Sequence, residues 1–158
     1  QHLAGNVQAQ LRRDMAFEDD QDFRRFLSKF EPNVQEIALG MREFVWRRYP
    51  ESNELIYDKK NGLSVGWGFT DKAGDIFVSF ACYSKHVNFG FHHGNLLADP
   101  QKMLLGSGSQ YRHIKVSRWA EFPSAAMEGF AQAAWLNVHG MLNPTAKLIQ
   151  GVTMVKSS

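Results

Sequence analysis

Apolar positions recur every three to four residues early in the chain, alternate with polar or small residues in the middle, and return to helical spacing near the end. Leu3, Val7, Leu11 and Met15 recur every four positions, which predicts an amphipathic N-terminal helix with a narrow stripe. The following stretch, "EDDQDFRRFLSKFEP", runs from acidic to basic and aromatic, the charge order that a helix dipole favours, and Pro32 marks its exit. A short helix from about Asp20 to Phe30 is expected there. In "PNVQEIALGMREFVWRRYP", Val34, Ile37, Ala38, Met41, Phe44 and Val45 share one face while Arg42, Arg47 and Arg48 decorate others, and Pro50 stops the helix.

From Leu55 to Val116 the period becomes two, as short antiparallel strands require. Leu63, Val65, Trp67 and Phe69 alternate with Ser64, Gly66, Gly68 and Thr70, and "DKAGD" reads as a hairpin turn. Ile76, Val78, Phe80 and Cys82 are expected on one face, as are Val87, Phe89 and Phe91, and then Ile114 and Val116. The last helix, "SAAMEGFAQAAWLNVHGML", aligns Met127, Phe130, Ala131, Ala134, Val138 and Met141, with Ser124 as its expected N-cap. Helices, strands and a further helix in that order predict an α+β fold. Its antiparallel sheet of about four to six strands would have the N- and C-terminal helices packed on one face.

Composition adds limits. At 158 residues and 44% apolar content, the chain suits a helical extension over 1–30 and one α+β domain over 31–158. A net charge of +2 without a Lys/Arg run points away from nucleic acid. No apolar run approaches the ~20 residues of a membrane span, so no membrane partner is expected. With no signal-peptide pattern and the single cysteine Cys82, the expected compartment is the cytoplasm.

Candidate chemistry concentrates between His86 and Val116. Gly106 and Gly108 lack the strand-to-helix context of a phosphate loop and read as a helix C-cap and a turn after the helix-like "PQKMLL". His92 and His93 point opposite ways on a strand, whereas His86, Asn88, His92, His113 and Lys115 fall on the face with small residues, where only cross-strand pairing could build a metal site. Cys82 lies on the apolar face, where a reactive thiolate is disfavoured. "EDDQD", interleaved with arginines, reads as a solvated helix start. The surplus of Gly66, Gly68, Ser79, Ala81 and Gly90 on one sheet face suits either close approach by a partner or ligand, or a face open to water.

Three blocks, "RRYPESNELIYD", "YSKHVNFGF" and "LADPQKMLLGSGSQYRHIKV", together resemble the YdhG-like domains of unknown function (domain of unknown function 1801) over about residues 34–138. Matching positions include Pro50, Glu54, Tyr57, Lys85, His86, Gly90, Gly94, Asp99, Gly106, Arg112 and His113. The resemblance implies a compact fold similar to frataxin and, from one described member, a role as an intracellular iron chaperone. The leading expectation is a non-catalytic binding or carrier protein for a small ligand or metal ion, with iron as one cargo. Its site would be the small-sided face or the loop around Lys85, His86, Arg112 and His113. One alternative is an enzyme on a small anionic substrate, with Lys85 and Arg112 binding charge while His86 or His113 moves a proton. Another is a homodimeric interaction module joined through the N-terminal helix. Missing catalytic motifs favour the non-catalytic reading.

Overall fold

A computed structural model describes residues 20–156 of the chain. The amphipathic stripe of Leu3 to Met15 lies outside the described residues. Among these residues three helices, α1 (Gln21–Leu27), α2 (Pro32–Arg48) and α3 (Ser124–Met141), accompany six strands. These are β1 (Asn53–Lys59), β2 (Gly62–Gly68), β3 (Ile76–Cys82), β4 (Val87–Phe91), β5 (Arg112–Val116) and β6 (Thr153–Lys156). They form one sheet in the order β5-β4-β3-β2-β1-β6. The fold is α+β, as expected. The sheet is mixed rather than antiparallel throughout, because β6 returns beside β1 in the parallel sense, Glu54 opposite Thr153 and Tyr57 opposite Lys156. No helix among the described residues is long and apolar enough to cross a membrane.

Local chemistry accounts for the helix ends. Asp20 accepts a hydrogen bond from the Phe23 amide (3.0 Å) and so caps α1, while Pro32 occupies the first turn of α2, where its missing N–H costs nothing. Both α1 and α2 present the expected apolar faces. Phe23, Leu27 and Phe30 enter the same core as Val34, Ile37, Met41 and Val45, so the end of the 1–30 extension is continuous with the main domain. On α3 the stripe of Met127, Phe130, Ala131, Ala134 and Val138 is buried; Met141 at its end is exposed. The helix begins at Ser124, after Pro123, so the hydroxyl does not serve as the expected N-cap.

The helices cover one sheet face. Aromatic edges interlock there: Phe44 meets Phe89 and Phe122 with ring centroids 5.9 and 5.0 Å apart, and Trp46 meets Trp67 at 6.2 Å. Alternation holds through β2, β4 and β5 and breaks once. Trp67 pairs with Val78 but Gly68 pairs with Ile76, so Phe77 is an extra residue in β3. This bulge turns Phe77 into the core beside Tyr49 and Phe69, and Ile76 to the opposite face above Gly66. Ile76 therefore does not share the face of Val78, Phe80 and Cys82.

One charged group is buried on the helix side. Arg42, expected among the decorating arginines, is 1% exposed and forks onto Glu54, Nε and Nη2 each lying 2.7 Å from a carboxylate oxygen. Asp20 approaches Arg42 at 2.9 Å, and the Thr153 hydroxyl donates to Glu54 at 2.8 Å. This network ties α1, α2, β1 and β6 together. The acidic start of α1 is thus partly engaged with the interior rather than solvated.

Candidate functional site

The face away from the helices is built in cross-strand rows. One row runs Tyr57, Ser64, Ala81, Asn88 and Lys115, and the next runs Leu55, Gly66, Ser79, Gly90 and His113. In the second row the two glycines leave room for side chains that lie across them. A Cβ on Gly66 would meet Ile76 at 2.6 Å, and one on Gly90 would meet the Tyr111 hydroxyl at 2.1 Å. Ile76 and Tyr111 thereby form a wall along the first row, whose small members, Ser64 and Ala81, form a floor. Tyr57, Tyr83 and His92 complete a groove of ≈ 290 Å³. The small-sided face is therefore a partly filled surface with a depression, and not a flat one.

Burial disfavours the protonated form of the histidines on this face. Burial, with Lys115 and His113 next, lowers the pKa of His86; burial, with His93 next, lowers that of His92; burial lowers that of His113. Burial also raises the Tyr111 hydroxyl, which stays protonated 3.5 Å from Ser79 Oγ. The histidines rest against tyrosines, His86 stacked on Tyr83 at 4.8 Å and His113 on Tyr111 at 5.9 Å. Asn88 Oδ1 is shielded from solvent and has no hydrogen-bond partner among the described residues.

A pH dependence follows. Each lowered pKa means that the folded state binds fewer protons than the unfolded chain between its native value and 6.5, so stability is lost as pH falls through 6.5. The melting temperature should drop between pH 7.5 and 5.5, and His92→Gln should flatten that drop. A midpoint constant over this interval would contradict the assignment.

The four residues expected to share a pocket are not brought together. Arg112 and His113 are consecutive in β5 and point to opposite faces. The Arg112 guanidinium donates to the carbonyls of Gly108 (2.7 Å) and Tyr111 (2.8 Å), and its stem packs where Gly94 and Gly106 lack side chains. It holds the 94–111 loop in place. Lys85 pairs with Glu31 at 3.0 Å, largely exposed. Of the four, His86 and His113 share the grooved face and are near enough for His113 to act on the charge of His86. Asp99 is structural too, accepting from the Met103 and Leu104 amides at 2.9 Å. The "PQKMLL" stretch is a turn followed by extended chain, so Gly106 with φ 128° serves the Leu105–His113 bridge rather than a helix C-cap.

Cys82 is buried, and burial pushes its thiol up to about 12, against use as a nucleophile. Among the described residues no three His, Cys, Asp or Glu are grouped to hold a metal ion. Other concavities lie among the described residues. One of ≈ 490 Å³ lies between the ends of α2 and α3 and the 148–150 strand approach, with Tyr49, Phe69, Trp135 and His139 in its wall; its cation Arg48 is engaged by Glu128 at 3.1 Å and by the Phe44 ring. Another of ≈ 370 Å³ separates the 97–103 loop from α3 and is almost wholly apolar. Although smaller than either, the sheet groove is the one lined by an unsatisfied polar group.

Sequence parity found the face correctly but missed the tyrosines, since Tyr83 and Tyr111 sit just outside the strands. The signal available was Gly90, a strand glycine that marks close approach. No family model, curated protein or solved structure matches the chain. The resemblance to YdhG-like domains read from the three sequence blocks therefore finds no support in these comparisons.

Proposed function

We propose that this chain is a non-catalytic domain, of the YdhG-like kind its sequence blocks resemble, that binds a small molecule in the groove on the outer sheet face. The observation that carries the reading is a depression of ≈ 290 Å³ on the face the helices leave open, floored by Ser64 and Ala81 and walled by Ile76 and three tyrosines. Antiparallel sheets tolerate an open face, but such a face is normally lined with polar side chains in contact with water, not with small residues under aromatic walls. Rigid aromatic walls and a few neutral polar groups are the features of small-ligand sites. The reading favours binding over catalysis because Lys85 and Arg112, the two cations expected to bind an anionic substrate beside His86 or His113, are engaged elsewhere. Iron carriage draws on the resemblance alone and has no grouped ligand set among the described residues behind it.

A plug tests the proposal. Ala81 faces outward from the groove floor, so Ala81→Trp should fill the depression without entering the core. In a thermal-shift screen of neutral single-ring compounds, hits should raise the melting temperature of the parent and leave the plugged variant unmoved. Equal stabilisation of both proteins would remove the groove as the site.

A further inference from the structure

The groove contains one group whose chemistry the fold leaves incomplete. Asn88 is central in β4, between Ala81 on β3 and Lys115 on β5. Ala81 offers no polar atom, and the Lys115 side chain is exposed. Tyr111 is directed at Ser79. A shielded acceptor without a donor is costly, and an apolar residue of similar shape would avoid that cost. An asparagine held there is explained by a donor supplied from outside. The amide torsion of Asn is soft, so rotation about it can turn the carboxamide edge toward the groove that Asn88 lines.

A carboxamide offers one acceptor beside donors, and its complement is an edge carrying N–H next to C=O. We propose that the groove recognises a flat ring bearing such a cis-amide edge, a lactam or cyclic imide, paired to the Asn88 side chain. This inference rests on the small-ligand reading above. The rest of the lining agrees with that class. Tyr57, Tyr83 and Tyr111 offer ring surfaces to a flat ligand, and ≈ 290 Å³ suits one or two rings. No Asp, Glu, Lys or Arg lines the groove, which fits a neutral ring, while Lys115 at the end of the Asn88 row leaves a place for an anionic substituent.

The test compares ring probes that differ only in the N–H. Uracil and 2-pyridone are titrated into the ¹⁵N-labelled full chain beside 1,3-dimethyluracil and N-methyl-2-pyridone. The N–H probes should bind at least about tenfold more tightly, a difference equal to one well-made hydrogen bond. In Asn88→Leu that preference should collapse to less than about twofold while the melting temperature holds or rises, because the substitution removes an unsatisfied polar group. Asn88→Ser serves as a second variant and should show the same loss of preference. Methylated and unmethylated probes binding the groove equally would overturn the cis-amide assignment and leave the small-ligand reading standing. An Asn88→Leu protein that is clearly destabilised would also overturn it, by showing the side chain to be structural. Absence of binding by every probe would overturn it as well, whereas the small-ligand reading itself stands or falls on the plugged variant.

Discussion

Arg42→Met should destabilise the protein by about 3–5 kcal/mol, the largest effect expected of any single polar substitution in this chain. The guanidinium is held by two 2.7 Å contacts to Glu54, a 2.9 Å contact to Asp20 and the Phe23 ring 4.0 Å from its centre. Burial alone would lower its pKa, but Glu54 and Asp20 outweigh burial and leave it raised. Methionine fills similar volume and removes the charge. Glu54, fully buried beneath α2, would then lose its two-pronged guanidinium partner while still accepting from the Thr153 hydroxyl. The loss comes from a buried carboxylate deprived of its guanidinium more than from the pair itself, because taking two ions out of water costs nearly what their attraction returns. Arg42→Met/Glu54→Leu should therefore recover most of the stability. Urea denaturation with an unchanged m-value would measure both. A single variant within about 1 kcal/mol of the parent would contradict the role given to this network.

Gly90→Ala should cost about 1–3 kcal/mol and dismantle one wall of the groove. The added Cβ would lie 2.1 Å from the Tyr111 hydroxyl and 2.7 Å from the Arg112 carbonyl. The tyrosine ring can swing away, but the carbonyl belongs to the neighbouring strand and can retreat only by distorting the β4–β5 ladder. Displacement of Tyr111 also removes its contacts with His92, His113 and Ser79. Gly62→Ala is the control, since a Cβ there meets nothing within 4 Å. Thermal melts should separate the two variants clearly, and ring probes should lose affinity for the first alone. Equal stability of the two would show that Gly90 is not spared for Tyr111.

What the chain announces in advance is what its local periodicity determines. The stripes of α2 and α3 and the alternation of β2, β4 and β5 are visible because each element buries one face against a continuous core. The bulge at Phe77 is not visible, since "IFV" is apolar at every position and offers no polar residue to mark the slip in phase. Strand β6 is four residues long, and its partner lies about a hundred residues earlier, so pairing is decided by tertiary packing and not by local pattern. Arg42 and Glu54 each read as exposed by type; only together do they become a buried pair. At the site, parity assigned His86, Asn88, His92, His113 and Lys115 to one face, as observed. The same parity separates Arg112 from His113, and the long loop between Gly94 and Tyr111 does not restore their union, because Arg112 is the residue that fastens it.

The most direct test of the binding site is backbone amide mapping of the ¹⁵N-labelled chain during titration with a mixture of neutral single-ring compounds. Perturbations should cluster at Ser64, Ala81, Asn88 and Tyr111, and disappear in Ala81→Trp. Perturbations centred instead on Tyr49, Phe69 and Trp135, with the sheet groove unmoved, would contradict the account.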